Sequence, residues 1–227
     1  MCFLEIVRES ARGLGPHLHP EITLSVLPMG DVLAAYDGGD HGAVRAHLAR
    51  TAGRLALAGC DFFVCPDNTA HIVLERAGEP LPLPGLHIAH LVAQRARRDG
   101  RRRVGLLGTQ WTMDGPVYRD AFARAGLELR VPPPHDRRLV DDSIFGELCR
   151  GVIRDETRAE YVRIIEAFAA DGCDAVALSC TEIPLIVTPD VSPLPTLDST
   201  RLLAHAAVAV ALGRAPLPAW RGGPFQD

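Results

Sequence analysis

Two stretches of this chain, 113 residues apart, read alike without a gap. Gly59-Cys60-Asp61-Phe62-Phe63-Val64 lies over Gly172-Cys173-Asp174-Ala175-Val176-Ala177, and the preceding helix-like segments, residues 47–58 and 160–171, superpose as well. In each copy a helical run is followed by Gly-Cys-Asp and a buried strand. Any two helix–strand units share some likeness, but the gapless Gly-Cys-Asp match favours a duplicated α/β unit. Duplication predicts two similar lobes facing each other.

The remaining chain order agrees. Strand-like runs at 22–27, 61–65, 103–107, 127–131 and 175–178 alternate with helical spacing at 43–58, 88–98, 118–125, 141–152, 157–170 and 201–212. A helix start is read at Asn68-Thr69. Such alternation means an α/β fold with largely parallel sheets. The expected architecture is two Rossmann-like lobes related by a pseudo-twofold axis. Residues 1–96 plus 198–227 form the N-terminal lobe and 97–197 the C-terminal lobe. Ligands in such sheets sit at the carboxyl ends of the strands.

The repeat also predicts a gap. The strand and turn Val104-Gly105-Leu106-Leu107-Gly108-Thr109 would have its counterpart before Met1. The first lobe is therefore expected to lack its opening strand, as a start site placed too far downstream would produce. After Leu194-Pro195-Thr196-Leu197 the last helix is expected to return to the first lobe. The Pro- and Gly-rich end, residues 215–227, is expected to be loosely ordered.

Composition excludes several chemistries. All 24 basic residues are arginine, so an ε-amine is unavailable for a pyridoxal phosphate Schiff base, a lysine-type aldolase or a Walker A lysine. The net charge of −4 and the absence of a basic block beyond Arg101-Arg102-Arg103 argue against nucleic-acid or anionic-membrane partners. No apolar run reaches the roughly 18 residues of a membrane span. The opening residues carry no secretory pattern, so a cytoplasmic location is expected and a disulfide framework is not. The six cysteines include no CxxC pair or zinc-site spacing, so no metal site is expected.

Under the repeat, Cys180 matches Asp67, not Cys65. The two strand-end motifs are Asp67-Asn68-Thr69 and Cys180-Thr181-Glu182. Each lies where a strand turns toward a helix N-terminus. Such ends offer free N–H groups and lower a thiol's pKa, which gives Cys180 a reason to be a thiolate. Asp67 is either an acid/base group or the cap of the helix starting at Asn68. Cys60 and Cys173 read as packing, and Cys65 as an alternative thiol. Cys2 and Cys149 have no assigned role.

With these motifs stated, the sequence resembles the aspartate/glutamate racemase superfamily. The likeness rests on Asp67-Asn68-Thr69-Ala70-His71, on Leu178-Ser179-Cys180-Thr181-Glu182-Ile183-Pro184, on Gly105-Leu106-Leu107-Gly108-Thr109 with Thr112-Met113 and Tyr118, and on Leu197-Asp198-Ser199-Thr200. It runs over nearly the whole chain in the expected order. Two features depart from the pattern. The cysteine usual before Asn-Thr is Asp67, and the opening strand with its Gly-rich loop is missing.

The resemblance implies a cofactor-independent amino-acid racemase or epimerase, an isomerase that is a homodimer and acts in the inter-lobe cleft. Racemisation removes an α-proton from one face and returns one to the other, so it needs two acid/base groups. It also needs donors for a carboxylate that gathers charge. Cys180 and Asp67 are the candidate pair. Reference pKa values of about 8.5 and 3.9 make the carboxylate the weaker base by roughly 6 kcal/mol, which burial could partly recover. Asn68, Thr69, Thr109 and Thr181 are candidate donors to substrate, or caps. Glu182 would hold the substrate ammonium or only the helix start. His71 resembles the family histidine, with a polar core residue as the alternative. Arg150 stands where a basic residue would bind the distal carboxylate of an acidic amino acid, the default substrate; otherwise it is a surface arginine. Other readings on this scaffold are a decarboxylase or cis–trans isomerase using Cys180, and an inactive carboxylate-binding relative.

Overall fold

The computed structural model describes residues 1–28 and 30–225. In chain order the elements are helices α1 (Cys2–Leu14), α2 (Gly30–Asp37) and α3 (His41–Leu57), strand β1 (Phe63–Val64), helix α4 (His71–Leu74), strand β2 (Gly85–Leu86) and helix α5 (Ile88–Arg98). Then come β3 (Arg103–Gly108), α6 (Gln110–Asp114), α7 (Pro116–Arg124), β4 (Glu128–Arg130), α8 (Pro134–Gly146), a short 3-10 turn Leu148–Arg150 and α9 (Asp155–Ala170). Last are β5 (Ala175–Ser179), α10 (Ile183–Ile186), β6 (Thr196–Asp198) and α11 (Ser199–Ala211).

These elements form two compact units. One comprises Met1–Cys2, Pro66–Thr69 and Ile88–Leu203; the other comprises Phe3–Cys65, Ala70–His87 and Ala204–Asp227. Helix α5 and the start of α11, Ser199–Leu203, belong to the first of these units.

The unit containing Ile88–Leu203 is built on a parallel four-stranded sheet of order β4-β3-β5-β6. Its centre is explained by sequence: β5, Ala-Val-Ala-Leu-Ser, is buried at every position, and β3 at all but Arg103. Such unbroken burial is what a strand covered on both faces requires. Helix α9 covers the sheet with Tyr161, Ile164, Ile165 and Phe168, spaced at i, i+3, i+4 and i+7. Its Phe168 ring lies so close to Gly105 that a Cβ there would stand 2.4 Å from it. Gly108 is equally constrained, because a Cβ would stand 2.9 Å from the Ser179 carbonyl oxygen.

The other unit holds the two-stranded parallel pair β1–β2 and a core of Phe63, Leu74, Leu81, Leu83 and Trp220. Residues 22–27 are not a strand: residues 15–28 carry neither helix nor strand, and Leu24 and Val26 are exposed. β-branched and apolar residues favour a strand only against a partner, and among the described residues none pairs with them. The tail corrects a second expectation. Leu81 N–H donates to the Arg221 carbonyl and Gly85 N–H to that of Trp220, both across 2.7 Å. Gly223 N–H donates to the Leu74 carbonyl and the Trp220 indole N–H to the Gly223 carbonyl. Backbone pairing and a buried tryptophan hold a segment that composition alone marks as loose; the last two residues lie outside the described ones.

The repeated Gly-Cys-Asp has one local cause. Gly59 and Gly172 take φ of +84° and +80°, a left-handed conformation that glycine adopts without a Cβ penalty. After each, the cysteine N–H reaches back to a helix carbonyl, Cys60 to Leu55 and Cys173 to Phe168. Both helices therefore close with the same glycine-based stop. No helix among the described residues is long and apolar enough to cross a membrane.

Candidate active site

Three neighbouring strands of the four-stranded sheet, β3, β5 and β6, end in chemically equipped turns. β3 runs into Thr109, β5 into Cys180-Thr181-Glu182, and β6 into Ser199. The segment Pro66–Thr69 belongs to the same compact unit. Asn68, Thr69, Thr109, Cys180, Thr181 and Glu182 are thus brought into one unit, together with Asp67.

Thr109 caps α6 by accepting a hydrogen bond from the Thr112 N–H. Its hydroxyl also lies 2.9 Å from that of Thr69 and 3.0 Å from that of Thr112, and the Thr69 and Thr112 hydroxyls are 3.2 Å apart. Three hydroxyls that touch one another form a compact donor cluster on the β3 turn. Thr112 was not among the sequence-derived site residues; its position three residues after Thr109 is the signal that points to it.

Asn68 is buried and held at both ends of its amide. The Ser199 hydroxyl donates to the Leu178 carbonyl across 3.0 Å, so its oxygen accepts from Asn68 Nδ2 at 3.2 Å. Asn68 Oδ1 then accepts from the Tyr118 hydroxyl at 2.6 Å. Burial pushes the Tyr118 phenol above its ordinary range, so it remains a proton donor. Asp67, the preceding residue, is exposed. It is not the cap of a helix starting at Asn68: residues 68–70 form a turn, α4 begins at His71, and the cap position is Ala70.

Cys180 differs from its expectation in protonation. It is buried, and its Sγ donates to Glu182 Oε2 at 3.0 Å. Burial pushes the thiol well above its ordinary value, the Glu182 charge and that hydrogen bond add to it, and the backbone N–H of Glu182 only partly opposes them. Cys180 is therefore a thiol and not a thiolate. Helix α10 has four residues, too short to outweigh burial and an adjacent carboxylate. Thr181 also donates to Glu182, so this carboxylate gathers both neighbouring donors.

The turn Leu148–Arg150 lies within electrostatic reach of the same carboxylate. The exposed Cys149 thiol is raised by partial burial and by Glu182. Cys149, without a role by sequence, is thus a neighbour of the site in charge if not in chemistry. Arg150 is exposed and makes no side-chain hydrogen bond or ion pair among the described residues. His71 belongs to the other compact unit, that of the C-terminal tail. It is fully buried, stacked on Trp220 at 5.8 Å and edge-on to His87 at 4.8 Å. His87 in turn bonds Glu75 across 2.7 Å.

The arrangement offers one thiol acid, one exposed carboxylate and a set of hydroxyl and amide donors. Comparison with known proteins bears on what these serve. The family described as Asp/Glu/Hydantoin racemase matches residues 3–207. The broad specificity amino-acid racemase RacX of Bacillus subtilis is 25% identical over 173 residues, covering 76% of this chain and 74% of that protein. The glutamate racemase of Corynebacterium glutamicum is 31% identical over 146 residues, 63% of this chain and 51% of that enzyme; the match spans about half its length. Among solved structures, a Yersinia pestis protein proposed to be an Asp/Glu racemase superposes with a TM-score of 0.83 at 32% identity, covering 93% of this chain and 92% of that one.

Proposed function

The chain belongs to the Asp/Glu/Hydantoin racemase family, and from that premise we propose that it interconverts the two hands of an amino acid by α-proton transfer without pyridoxal phosphate. The observation that carries the reading is the protonated Cys180 thiol at one strand end, with the Asp67 side chain in the same compact unit. Cys180 is held as a thiol on the Glu182 carboxylate, and Asp67 is an exposed carboxyl group in the same unit. One protonated group and one base suit a reaction that takes a proton from one face and returns one to the other.

In this scheme Asp67 removes the α-proton from one hand. The electron pair enters the substrate carboxylate as an enediolate, and the Cys180 S–H supplies a proton on the opposite face. The turnover leaves Asp67 protonated and Cys180 a thiolate, the form that accepts the other hand. The hydroxyls of Thr69, Thr109 and Thr112, with the Asn68 amide, supply donors for the charged carboxylate, while Thr181 is spent on Glu182. Glu182 serves the thiol. Arg150, exposed and unpaired among the described residues, suits the distal carboxylate of an acidic amino acid. The resemblance also implies a homodimer, which sedimentation across a concentration range tests.

Deuterium uptake at the α-carbon tests the reading. The protein is incubated in deuterium oxide with amino acids of both hands and followed by NMR. Uptake that disappears in Cys180→Ala supports it; no uptake from any amino acid overturns it.

The protonated thiol also favours a second reaction on the scaffold. A decarboxylase needs a single thiol acid to protonate an enediolate, and Cys180 as found meets that need. Carbon dioxide release from disubstituted malonates, with no α-proton exchange on amino acids, would favour it.

A further inference from the structure

The buried chain from Tyr118 through Asn68 to Ser199 uses its donors economically and ends on β5, the strand that leads into Cys180. Tyr118 and Ser199 are fully buried and Asn68 is 4% exposed, so none of the three is held by solvent. Ser199 bonds the carbonyl of Leu178, two residues before Cys180, on a strand whose register is set on both sides by Leu107 and Asp198. At the other end, Asn68 and Thr69 are consecutive. One is tied to Ser199 and Tyr118, and the other to Thr109 and Thr112. Pro66–Thr69 is only four residues long within this unit, so these two side chains hold the backbone that directly follows Asp67.

The geometry points to Tyr118 and Ser199 as positioning residues that act through Asn68 to set Asp67 against Cys180. This rests on the racemase reading above. Asn68 is then a strut between the two acid/base loops. Its oxygen is committed to Tyr118 and one amide hydrogen to Ser199, and the second amide hydrogen remains for a substrate. Removing either partner lets the Asn68 amide turn and shifts the backbone at Asp67, while β5, which leads into Cys180, keeps its ladders to β3 and β6. Displacement of about 1 Å in such a pair costs on the order of a hundredfold in rate.

Thermodynamics supplies the readout. The two hands of an amino acid are equal in free energy, so kcat/KM is the same from either hand. Loss of folded protein lowers both kcat values by one factor and leaves both KM values unchanged. Displacing one group of an unlike pair lowers the two kcat values unequally, with matching changes in KM.

The experiment measures kcat and KM from each hand for the wild type, Tyr118→Phe, Ser199→Ala and the double variant. The substrate is the amino acid with the fastest exchange, and rates are normalised to folded protein by circular dichroism. Each single variant is expected to lower kcat about tenfold or more from one hand, the same hand in both, and less than about threefold from the other. The double variant is expected to be no worse than the worse single one. Ser199→Ala keeps the test open if Tyr118→Phe does not fold. Equal factors on both hands with unchanged KM overturn the positioning role alone. A wild type that exchanges no amino acid overturns the racemase reading and this inference with it.

Discussion

The phenol of Tyr118 donates to the side-chain oxygen of Asn68 across 2.6 Å, and both groups are buried. Tyr118→Phe leaves that oxygen without its donor, which costs about 1–3 kcal/mol of stability. Ser199→Ala removes the acceptor at the other end of the same amide. The two losses share Asn68, so they should fail to add by about 0.5–3 kcal/mol. Urea denaturation of both singles and the double measures this. Simple additivity would show that Asn68 does not link them.

Glu182 raises the Cys180 thiol by charge and by accepting its hydrogen. Glu182→Gln should therefore move the thiol pKa down toward its ordinary value. Thiolate absorbance in the ultraviolet, recorded against pH with Cys180→Ala as blank, reports the shift; an unchanged or higher value contradicts it. The raised folded pKa also fixes the sign of a stability effect. The protonated thiol favours the fold below the ordinary thiol pKa, and that contribution is lost as pH rises through the folded value. Cys173, raised mainly by burial to about 11, acts in the same direction. Alkaline destabilisation should be shallower in Cys180→Ala.

Gly105 and Gly108 both sit on β3 but meet different obstacles. A Cβ at 105 meets the Phe168 ring at 2.4 Å, and one at 108 meets the Ser179 carbonyl oxygen at 2.9 Å. Each alanine substitution should cost about 1–3 kcal/mol by overpacking. Phe168→Leu should recover part of the Gly105→Ala loss, since a side chain can be exchanged. No side-chain change should rescue Gly108→Ala. Denaturation midpoints decide both, and rescue at 108 would contradict the backbone clash.

Arg150→Ala should raise KM for aspartate and glutamate about 10- to 100-fold, the worth of a charge-assisted hydrogen bond. An amino acid with an apolar side chain should change by less than about twofold under the same rule. Steady-state kinetics on both classes measures the difference. Equal changes would show that Arg150 does not read the distal carboxylate.

The central sheet was legible because β3 and β5 are apolar runs bounded by glycine, and burial on both faces leaves no other reading. The strand ends were legible for the same reason: Thr109 and Cys180 directly follow those runs. Residues 22–27 misled because apolar composition cannot report whether a partner strand is present. The protonation of Cys180 was hidden because burial and the approach of Glu182 are tertiary facts, whereas the helix start that argued for a thiolate is local. Ser199 and Tyr118 lie 131 and 50 residues from Asn68. No pattern in the sequence joins them, although each stood in a motif that carried the family likeness.

The unit with the four-stranded sheet comes almost wholly from one continuous stretch, Ile88–Leu203, whereas the other needs Phe3–Cys65, Ala70–His87 and the residues from Ala204 onward. Trp220 completes the latter's core beside Phe63, Leu74, Leu81 and Leu83. On the ribosome the usual order is therefore inverted: the residues made first close their core last. Until Trp220 emerges, those four side chains lack their cover, and the nascent chain carries an aggregation-prone surface through the synthesis of more than a hundred residues (from Gly85 to Arg221). Slow translation or an arrested chain should expose this half of the molecule to chaperones and proteases while the other half is already folded.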